Sequence, residues 1–490
     1  MYFNSYIFIF LFVPLVLAGY FFFNHKKKYR LAQAFVAGMS LWFYSYADVS
    51  LFFLIMTSLC GNYICSFLMD KTGKRKLFGV IGVMFNLTLL FYFKYYDFFI
   101  SNMNELFRQS WALKHIVLPM GISFYTFQQI SFIVDRQWGK APHYSILDYV
   151  TFVTYFPQLV AGPIVRHDEL VPQFQDVEKK KFDWQWFSRG ITLFILGLSK
   201  KMLIADILSL AADYGFANIE SLDTAGALAA DLAYTLQMFF DFSGYSDMAV
   251  GLAWMMNIDL PMNFDTPYKS RSIAEYWRRW HITLSHFFTA YVYIPMGGSR
   301  KGEARTLFNN FFIFFLSGLW HGANWTFVIW GMCHGVAVVI DRLVKTHWKG
   351  KAPGPLHRKL QTVRAFLVVM LLFVIFRSES MSDALRFYKK IFSFNWTGAI
   401  YQVVMSMDNA ILYIPLTLIK RINAGWFESV YLVYYLIMVL LALVLCSGKG
   451  AYRIAKEGTL GKKRAWGIAL LFCACVISLS KVVVFLYSNF

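Results

Sequence analysis

Residues 311–335 read FFIFFLSGLWHGANWTFVIWGMCHG. The stretch is apolar enough to lie in a lipid bilayer, yet it carries His321 near its middle and His334 near its end. An ionisable side chain at membrane depth is costly and usually marks a functional site. The fold and the function therefore depend on how the rest of the chain surrounds these two histidines.

The composition of the chain is that of a membrane protein. Of its 490 residues, 58% are hydrophobic, 19% are aromatic and 15% are charged. A soluble domain carries about 25% charged residues. Apolar runs recur from one end of the chain to the other and leave no room for a large soluble domain. We therefore predict an all-α polytopic membrane protein with one integral membrane domain over residues 1–490.

The net charge of +19 would suggest a nucleic-acid partner if the protein were soluble. Here the Lys and Arg residues concentrate in short loops, which the positive-inside rule places in the cytoplasm. The apolar run 1–23 has no basic segment before it and is followed by HKKKYR. It is predicted to be a first transmembrane helix with an extracytoplasmic amino terminus, not a signal peptide. The predicted cytoplasmic loops are 24–30, 70–76, 297–305, 341–359 and 447–464.

Apolar windows of about 20 residues indicate a series of helices. Segments 159–167 and 291–298 place Gly and Pro in an apolar context, and broken backbone of this kind needs protein or a water-filled cavity around it. We expect re-entrant segments there. Segment 307–340 is expected to enter from the cytoplasm and return, with His321 near the deep turn. The candidate helices lie near 3–23, 31–47, 49–69, 77–101, 116–134, 146–164, 186–210, 225–256, 307–322, 324–340, 364–377, 430–446 and 465–488.

The motif WHGANW around His321 has the composition of a lined pocket. A lone histidine in an apolar run is often a core residue hydrogen-bonded to a neighbouring helix. Here Gly322 and Ala323 allow close approach, Asn324 offers an amide, and a tryptophan on each side offers a rigid wall. The motif therefore favours a functional histidine over a structural one.

A second cluster, NFDTPYKSRSIAEYWRRWHITLSHFF, covers residues 263–288. Its composition from Ser272 to Phe288 predicts an amphipathic helix at the cytoplasmic interface. That location does not explain His281, which lies on the apolar side of Arg278 and Arg279. The basic groups nearest the expected cavity mouth are candidates for the phosphates of an anionic donor. The candidate donor-binding residues are Lys269, Arg271, Arg278, Arg279, Trp280, Arg300, Trp320, Asn324 and Trp325.

Residues 237–256 place Gln237, Asp241, Ser243 and Asp247 on an apolar helix. The two carboxylates are six residues apart, do not share a helix face, and are interpreted as structural polar groups that are paired inside the bundle. The six cysteines have no spacing typical of a metal or redox site, so no metal is expected.

Several stretches resemble the signature of the membrane-bound O-acyltransferase family. They include PMNFDTPYKSRSIAEYWRRWHITLS, YVYIPMGGSRKG and SGLWHGANWTFVIWGMCHG, with NLTLLFYFKYYDFF, LPMGISFYTFQQISFIVD and TYFPQLVAGPIVRHDELVPQF upstream. The resemblance covers about residues 5–385. It is strongest to a bacterial branch that contains the alginate O-acetylation membrane subunit and the D-alanyl transfer protein of teichoic acid modification.

This resemblance implies a ring of roughly 11–13 tilted and re-entrant helices around a central tunnel, with additional membrane helices near 430–488. The essential histidine of the family's WHG motif corresponds to His321, and the second polar position, at the end of WRRWH, corresponds to His281. Many relatives carry an Arg–Asp pair just before the YxYIPLGG run, where this chain has Thr289 and Ala290. That departure puts the transfer of partner-docking details in doubt.

The chemistry expected of these histidines is acyl transfer. An imidazole near neutral pH can take the proton of an attacking hydroxyl, and no Ser or Cys nucleophile lies beside either histidine in sequence. We expect direct transfer with His321 as general base. His281 is expected to hydrogen-bond the thioester carbonyl or to orient the donor, and His334 to be structural.

The expected function is transfer of an acetyl group from cytosolic acetyl-CoA for O-acetylation of an exported or cell-surface polysaccharide, through an extracytoplasmic partner. The expected location is the bacterial inner membrane, with membrane lipid around the chain, no bound cofactor and no nucleic acid. Two alternatives stay open. One is D-alanyl transfer to teichoic acid from a carrier-protein thioester, and the other is a transporter of a polysaccharide or lipid-linked intermediate.

Overall fold

A computed structural model describes residues 1–347, 354–408, 427–458, 461–479 and 485–486. This part of the chain is helical and contains no β-strand, which confirms the predicted all-α class. Parts of the predicted loops 341–359 and 447–464 and of the predicted helix 465–488 lie outside the described residues. The α-helices are Val13–His25, Tyr29–Ser45, Ser50–Thr72, Arg75–Leu90, Tyr96–Phe107, Ile122–Gln137, Ile146–Thr154, Phe156–Leu159, His167–Gln175, Trp184–Lys200, Asp206–Ala217, Thr224–Met255, Ile273–Tyr276, Ile282–Phe288, Glu303–His321, Trp325–His347, Pro355–Arg377, Met381–Ile391, Ile400–Met405, Phe427–Ser447, Ala451–Glu457 and Lys462–Ser478.

Wider π-helical turns continue several of these helices. They occur at Phe8–Phe12, Phe91–Tyr95, Lys201–Ala205 and Thr289–Tyr293. Because the turn Phe91–Tyr95 joins its two neighbours, the chain is helical without interruption from Arg75 to Phe107. Short 3₁₀ turns lie at Glu178–Lys180, Ile219–Ser221 and Pro267–Lys269.

By length and composition, six of the described helical segments could cross a membrane. The other described helices are shorter or carry more polar residues. The predicted helix 146–164 is wrong as a single element, because the chain bends at Tyr155 and only a four-residue helix, Phe156–Leu159, follows. Pro157 lies in the first turn of that short helix and cannot continue the preceding one. The six segments are Phe8–His25, Ser50–Thr72, Arg75–Phe107, Trp325–His347, Pro355–Arg377 and Glu428–Ser447.

The helix Thr224–Met255 is buried along nearly its whole length and forms the centre of the bundle. It packs most extensively against Trp184–Lys200. At this contact Gly244 approaches the carbonyl of Gly197, and a Cβ at Gly244 would lie 2.8 Å from that oxygen. Small residues at such crossings allow two backbones to meet, as in other membrane helix pairs.

Ion pairs join these central helices inside the bundle. The Lys201 ammonium lies 2.5 Å from Asp241 and 2.8 Å from Asp206. The Lys200 ammonium lies 2.6 Å from Asp247. The interpretation of Asp241 and Asp247 as paired structural groups is therefore confirmed. None of the six cysteines forms a disulfide in the part of the chain that the structure describes. Cys60 and Cys473 are exposed.

The segment that follows residue 390 is attached to the central helix by Asp223, which is 1% exposed. One carboxylate oxygen accepts the backbone N–H of Gly226 at 2.8 Å, at the start of the central helix. The other accepts the N–H groups of Thr397, Gly398 and Ala399 at 2.8, 2.9 and 3.2 Å. Burial alone would raise the pKa of this carboxyl, but the four backbone donors lower it by more, so the pKa lies below its ordinary value.

The topology can be tested by side-specific thiol labelling, with Cys60 and Cys473 replaced by serine. We expect a cysteine at Lys74 to react only from the cytoplasm, because it lies in a basic loop. A cysteine at Ser382 should react only from outside, because the helix Pro355–Arg377 crosses from the predicted cytoplasmic loop before it. Labelling of position 382 from the cytoplasm alone would contradict this arrangement.

Replacement of Asp223 by Asn should destabilise the protein at neutral pH. Charge-assisted hydrogen bonds contribute about 1.5–3 kcal/mol, so we expect the thermal midpoint at pH 7 to fall by about 2–4 °C. Because the folded-state pKa is depressed, this stabilisation is present above the unfolded pKa of about 4. It is lost as the pH falls through the lower folded-state value.

The difference in midpoint between wild type and Asp223→Asn should therefore shrink in acid, and thermal melts in detergent at pH 7 and below pH 4 measure it. Glu178→Gln is the control, because Glu178 and its partner Lys181 are 78% and 72% exposed and such pairs contribute little. Equal midpoints for wild type and Asp223→Asn at pH 7 would refute the attachment.

Candidate active site

Residues 311–335 lie in a hairpin of two packed helices, Glu303–His321 and Trp325–His347. Gly318 and Gly331 face each other across the pair, and a Cβ at either position would collide with a carbonyl oxygen of the opposite helix. The glycines therefore set the close approach of the two backbones. The expected hairpin is confirmed, and His321 is the last residue of its first helix.

Aromatic rings enclose the His321 imidazole, whose residue is 2% exposed. The ring centroids of Trp320 and Trp330 each lie 5.0 Å from that of His321. Phe376, from the next helix, lies 5.5 Å away. The imidazole is therefore shielded from bulk solvent by rigid side chains, and a buried, apolar surrounding strengthens electrostatic interactions.

Polar side chains of the turn after His321 attach the turn to other segments of the protein. The Asn324 amide donates to the carbonyl of Glu379 at 2.8 Å, and its oxygen accepts the N–H of Thr326 at 3.0 Å. The Trp325 indole N–H donates to Asn102 at 2.8 Å. Two of the candidate donor-binding residues, Asn324 and Trp325, thus contact the scaffold around the turn.

The chain around His281 differs from the expected amphipathic helix. Residues 272–288 form two short helices, Ile273–Tyr276 and Ile282–Phe288, and His281 between them adopts a left-handed conformation with φ 46° and ψ 53°. The prediction of one continuous interfacial helix is therefore wrong. A left-handed residue ends a right-handed helix, and this break directs the chain inward, so that His281 is 0% exposed.

The contact with Asn263 indicates which nitrogen of the neutral His281 ring carries the proton. The Asn263 side-chain oxygen accepts the backbone N–H of Thr283 at 3.3 Å and the Thr283 hydroxyl at 3.0 Å. This atom is therefore the oxygen of the amide, and His281 Nδ1, 3.2 Å away, must donate to it. In the neutral ring the lone pair then lies on Nε2, which accepts a hydrogen bond or a proton.

Both histidines contact the same indole. The Trp320 ring lies 5.0 Å from the His321 ring and 6.0 Å from the His281 ring. Trp320 in turn stacks on Phe127 at 5.3 Å. The fold thus brings WHG and WRRWH, which are 40 residues apart in sequence, to one aromatic wall.

The His334 ring accepts a hydrogen bond at Nδ1, whereas the His281 ring donates one there. The Trp277 indole N–H donates to His334 Nδ1 at 3.2 Å, so the proton of the neutral ring lies on Nε2. The ring also packs against Trp330 at 4.7 Å. This contact connects the WRRWH segment to the hairpin, which fits the structural role expected for His334.

The basic residues proposed for donor binding occupy different surroundings. Arg279 pairs with Glu275 at 2.9 Å and approaches Asp265 at 3.9 Å. Lys269 donates to the carbonyl of Gly448 at 2.7 Å. Arg271, Arg278 and Arg300 are exposed. Trp280 is buried and stacks on Tyr276 at 5.4 Å, so its ring belongs to the aromatic core beside the site.

Arg278 lies at a cavity of about 220 Å³ that leads toward the hairpin. Its lining includes Ser317, four residues before His321 on the same helix. Residues at this spacing share a helix face, so the cavity follows the face that carries the histidine. Its lining is Ala274, Trp277, Arg278, Leu284, Ser285, Phe288, Thr289, Asn310, Ile313, Phe314, Ser317 and Val338.

Three polar residues that were not predicted from the sequence contact the segments around His321 and His281. They are Lys94, Tyr95 and Asn263. Lys94 could have been predicted, because it is an ionisable residue within the apolar run FYFKYYDFF. An ionisable side chain in an apolar run was also the reason for considering His321. Asn263 carried no such signal, since an amide near the start of a charged segment is ordinary.

Comparison with known proteins places the chain among membrane acyltransferases. The model of the membrane-bound O-acyltransferase family matches residues 36–382. A peptidoglycan O-acetyltransferase from Helicobacter pylori is 37% identical over 80% of both chains. A probable alginate O-acetylase from Pseudomonas aeruginosa is 40% identical over 80% of this chain and 75% of its own. A teichoic acid D-alanyltransferase from Streptococcus thermophilus is 28% identical over 52% of this chain and 68% of its own.

These matches confirm the resemblance found in the motifs and favour an enzyme over a transporter. The matched region includes both buried histidines and the hairpin that carries one of them. With its helical membrane architecture, this O-acyltransferase belongs to the membrane-bound O-acyltransferase family.

Proposed function

We propose that this protein moves an acetyl group from cytosolic acetyl-CoA across the bacterial cytoplasmic membrane for O-acetylation of an exported or cell-surface polysaccharide. An extracytoplasmic partner is proposed to complete the transfer. The observation that carries the proposal is the meeting of His321 and His281 on the Trp320 indole, in a buried site at the end of the first hairpin helix.

The comparisons support acetyl transfer over D-alanyl transfer. The peptidoglycan and alginate acetylating relatives are 37% and 40% identical over 80% of this chain. The D-alanyl relative is 28% identical over 52%. Peptidoglycan and alginate both carry sugar hydroxyls, so we propose a sugar hydroxyl as the final acceptor of the acetyl group.

The proposed reaction is a direct transfer. The acceptor hydroxyl attacks the thioester carbonyl, a C–O bond forms and the C–S bond breaks. His321 takes the hydroxyl proton as general base and returns it to the leaving thiolate. The helix end holds the imidazole, and the aromatic wall excludes water that would otherwise hydrolyse the thioester.

The Asn263 contact favours one of the two roles considered for His281. Donation to the thioester carbonyl would need a proton on Nε2, but the neutral ring carries its proton on Nδ1. Orientation of the donor through a hydrogen bond accepted by Nε2 needs no such proton. The pantetheine arm of acetyl-CoA has amide N–H groups that can donate it. We therefore propose that His281 positions the donor.

The cavity beside Arg278 is the proposed donor route. Its apolar lining suits the pantetheine arm, and the guanidinium suits a phosphate at the mouth. Arg279 and Lys269 already have protein partners. Among the basic residues considered, Arg278 is thus the first choice for a donor contact.

Charge reversal at Arg278 should weaken donor binding. Loss of a charge-assisted contact of about 1.5–3 kcal/mol raises the acetyl-CoA KM of Arg278→Glu by about 10- to 100-fold, with kcat little changed. Lys345→Glu makes the same charge change at an exposed position away from the cavity. Steady-state kinetics in proteoliposomes measure both. A donor KM equal to that of wild type would remove Arg278 from the donor site.

Loss of the two central histidines should affect different steps. His321→Ala should lower kcat by about 10²- to 10⁴-fold, as expected for a positioned base. His281→Ala should lower kcat less and raise the donor KM, because it orients the donor. The double variant should be little worse than His321→Ala, since groups that act as a unit are non-additive.

The assay is acetyl-CoA turnover in proteoliposomes reconstituted with a membrane extract from a host strain that lacks this protein, which supplies the extracytoplasmic partner, and with peptidoglycan and alginate fragments as acceptors. His334→Ala, checked for its thermal midpoint, is the control for loss of a buried imidazole and should retain most of the activity. A folded His321→Ala protein with near-wild-type transfer would disprove the general-base assignment.

A further inference from the structure

The end of the helix Glu303–His321 lacks the usual means of satisfying its carbonyl groups. The last carbonyls of a helix have no partner within it, and many helices end with a left-handed residue that helps to satisfy them. Here Gly322 continues in an extended conformation, with φ −165° and ψ 155°. The carbonyls beside His321 must therefore find donors elsewhere in the protein.

Two neighbouring side chains from another helix supply these donors. The Tyr95 hydroxyl donates to the carbonyl of Leu319 at 2.8 Å. The Lys94 ammonium donates to the carbonyls of Trp320 and His321 at 2.6 and 3.1 Å. The last three carbonyls of the helix are thus hydrogen-bonded by consecutive residues of the helical segment Arg75–Phe107.

The ammonium of Lys94 has no donor left for chemistry. Its third hydrogen bond goes to the Ser123 hydroxyl at 3.1 Å, and an ammonium has three N–H groups. Its positive charge also complements the negative end of the helix dipole. Lys94 therefore acts on the backbone of the hairpin and is unsuited to be a catalytic residue.

A π-helical turn presents these two side chains. Lys94 and Tyr95 close the turn Phe91–Tyr95, where the helix widens for five residues. Such turns are rare and frequently occur at functional sites. Further along the same helix, Asn102 accepts the Trp325 indole N–H. The helical segment Arg75–Phe107 therefore contacts the hairpin on both sides of the turn that follows His321.

We infer that Lys94, assisted by Tyr95, is a positioning residue for His321. The ammonium holds the carbonyl of the histidine itself and that of its neighbour, and so fixes where the imidazole lies relative to the donor. A displacement of 1 Å in such a site can cost about 10²-fold in rate. This inference rests on the proposed function of His321 and adds the group that places it.

The test compares Lys94→Met, which keeps the apolar stem without the N–H groups, with Lys94→Arg, which restores charge and donors. We expect Lys94→Met to lower kcat by about 10²-fold with the acetyl-CoA KM unchanged, and Lys94→Arg to recover part of the loss. Lys114→Met is the matched control, because Lys114 lies over the rings of Tyr92 and Tyr96 beside the same turn.

Two further measurements separate positioning from general loss of structure. In a His321→Ala background, Lys94→Met should have little additional effect on turnover, because both changes act through one group. Modification of His321 by diethyl pyrocarbonate, read by mass spectrometry with the exposed His347 as internal reference, should rise in Lys94→Met. This labelling reports the position of the ring whatever reaction the site performs.

The outcomes distinguish the positioning role of Lys94 from the general-base role proposed for His321. Unchanged labelling of His321, or a Lys94→Met protein with wild-type kcat, would overturn the positioning role. An equal loss of turnover from Lys94→Met with and without His321 would also overturn it. Increased labelling together with an active His321→Ala protein would support the contact of Lys94 with the hairpin and refute the proposed role of His321.

Discussion

Polar groups in this protein must find partners within the protein, because a hydrocarbon environment offers no water to satisfy them. That constraint explains why the central helices carry paired ions, with Lys201 between Asp206 and Asp241. It explains equally why the helix that ends at His321 is capped by Lys94 and Tyr95 from a different helix. In each case a polar group at depth also specifies which helices lie side by side.

The same constraint gives the histidines distinct chemical characters. His281 donates through Nδ1 to the Asn263 oxygen, whereas His334 accepts at Nδ1 from the Trp277 indole. The first ring therefore presents a lone pair at Nε2 and the second a proton. Two similar imidazoles in similarly apolar surroundings thus differ in which nitrogen carries the proton, because the Nδ1 atoms have different partners.

Close backbone contact gives the site its shape. Gly318 and Gly331 allow the two hairpin helices to approach, and the aromatic rings of Trp320, Trp330 and Phe376 then surround His321. These rigid rings shield the imidazole from solvent on several sides. His321 is thus held by backbone contacts at its helix end and by ring contacts around its side chain.

Local pattern was enough to determine several features of this chain. Composition and apolar runs indicated an all-α membrane protein, the basic loops on both sides of 307–340 indicated a hairpin, and the motifs indicated the family. His321 became a candidate because its ionisable ring lies in an apolar run. These features depend on residue type and on neighbours within one or two helical turns, which is why the sequence alone sufficed.

Other features depended on contacts between distant segments, and only the tertiary structure decided them. Residues 272–288 have the composition of one helix, but the left-handed conformation of His281 and its hydrogen bond to Asn263, 18 residues earlier, divide the segment in two. The capping of His321 by Lys94 spans 227 residues. Helix propensity and periodicity describe only local neighbours, whereas a buried polar group takes whichever partner the fold places beside it.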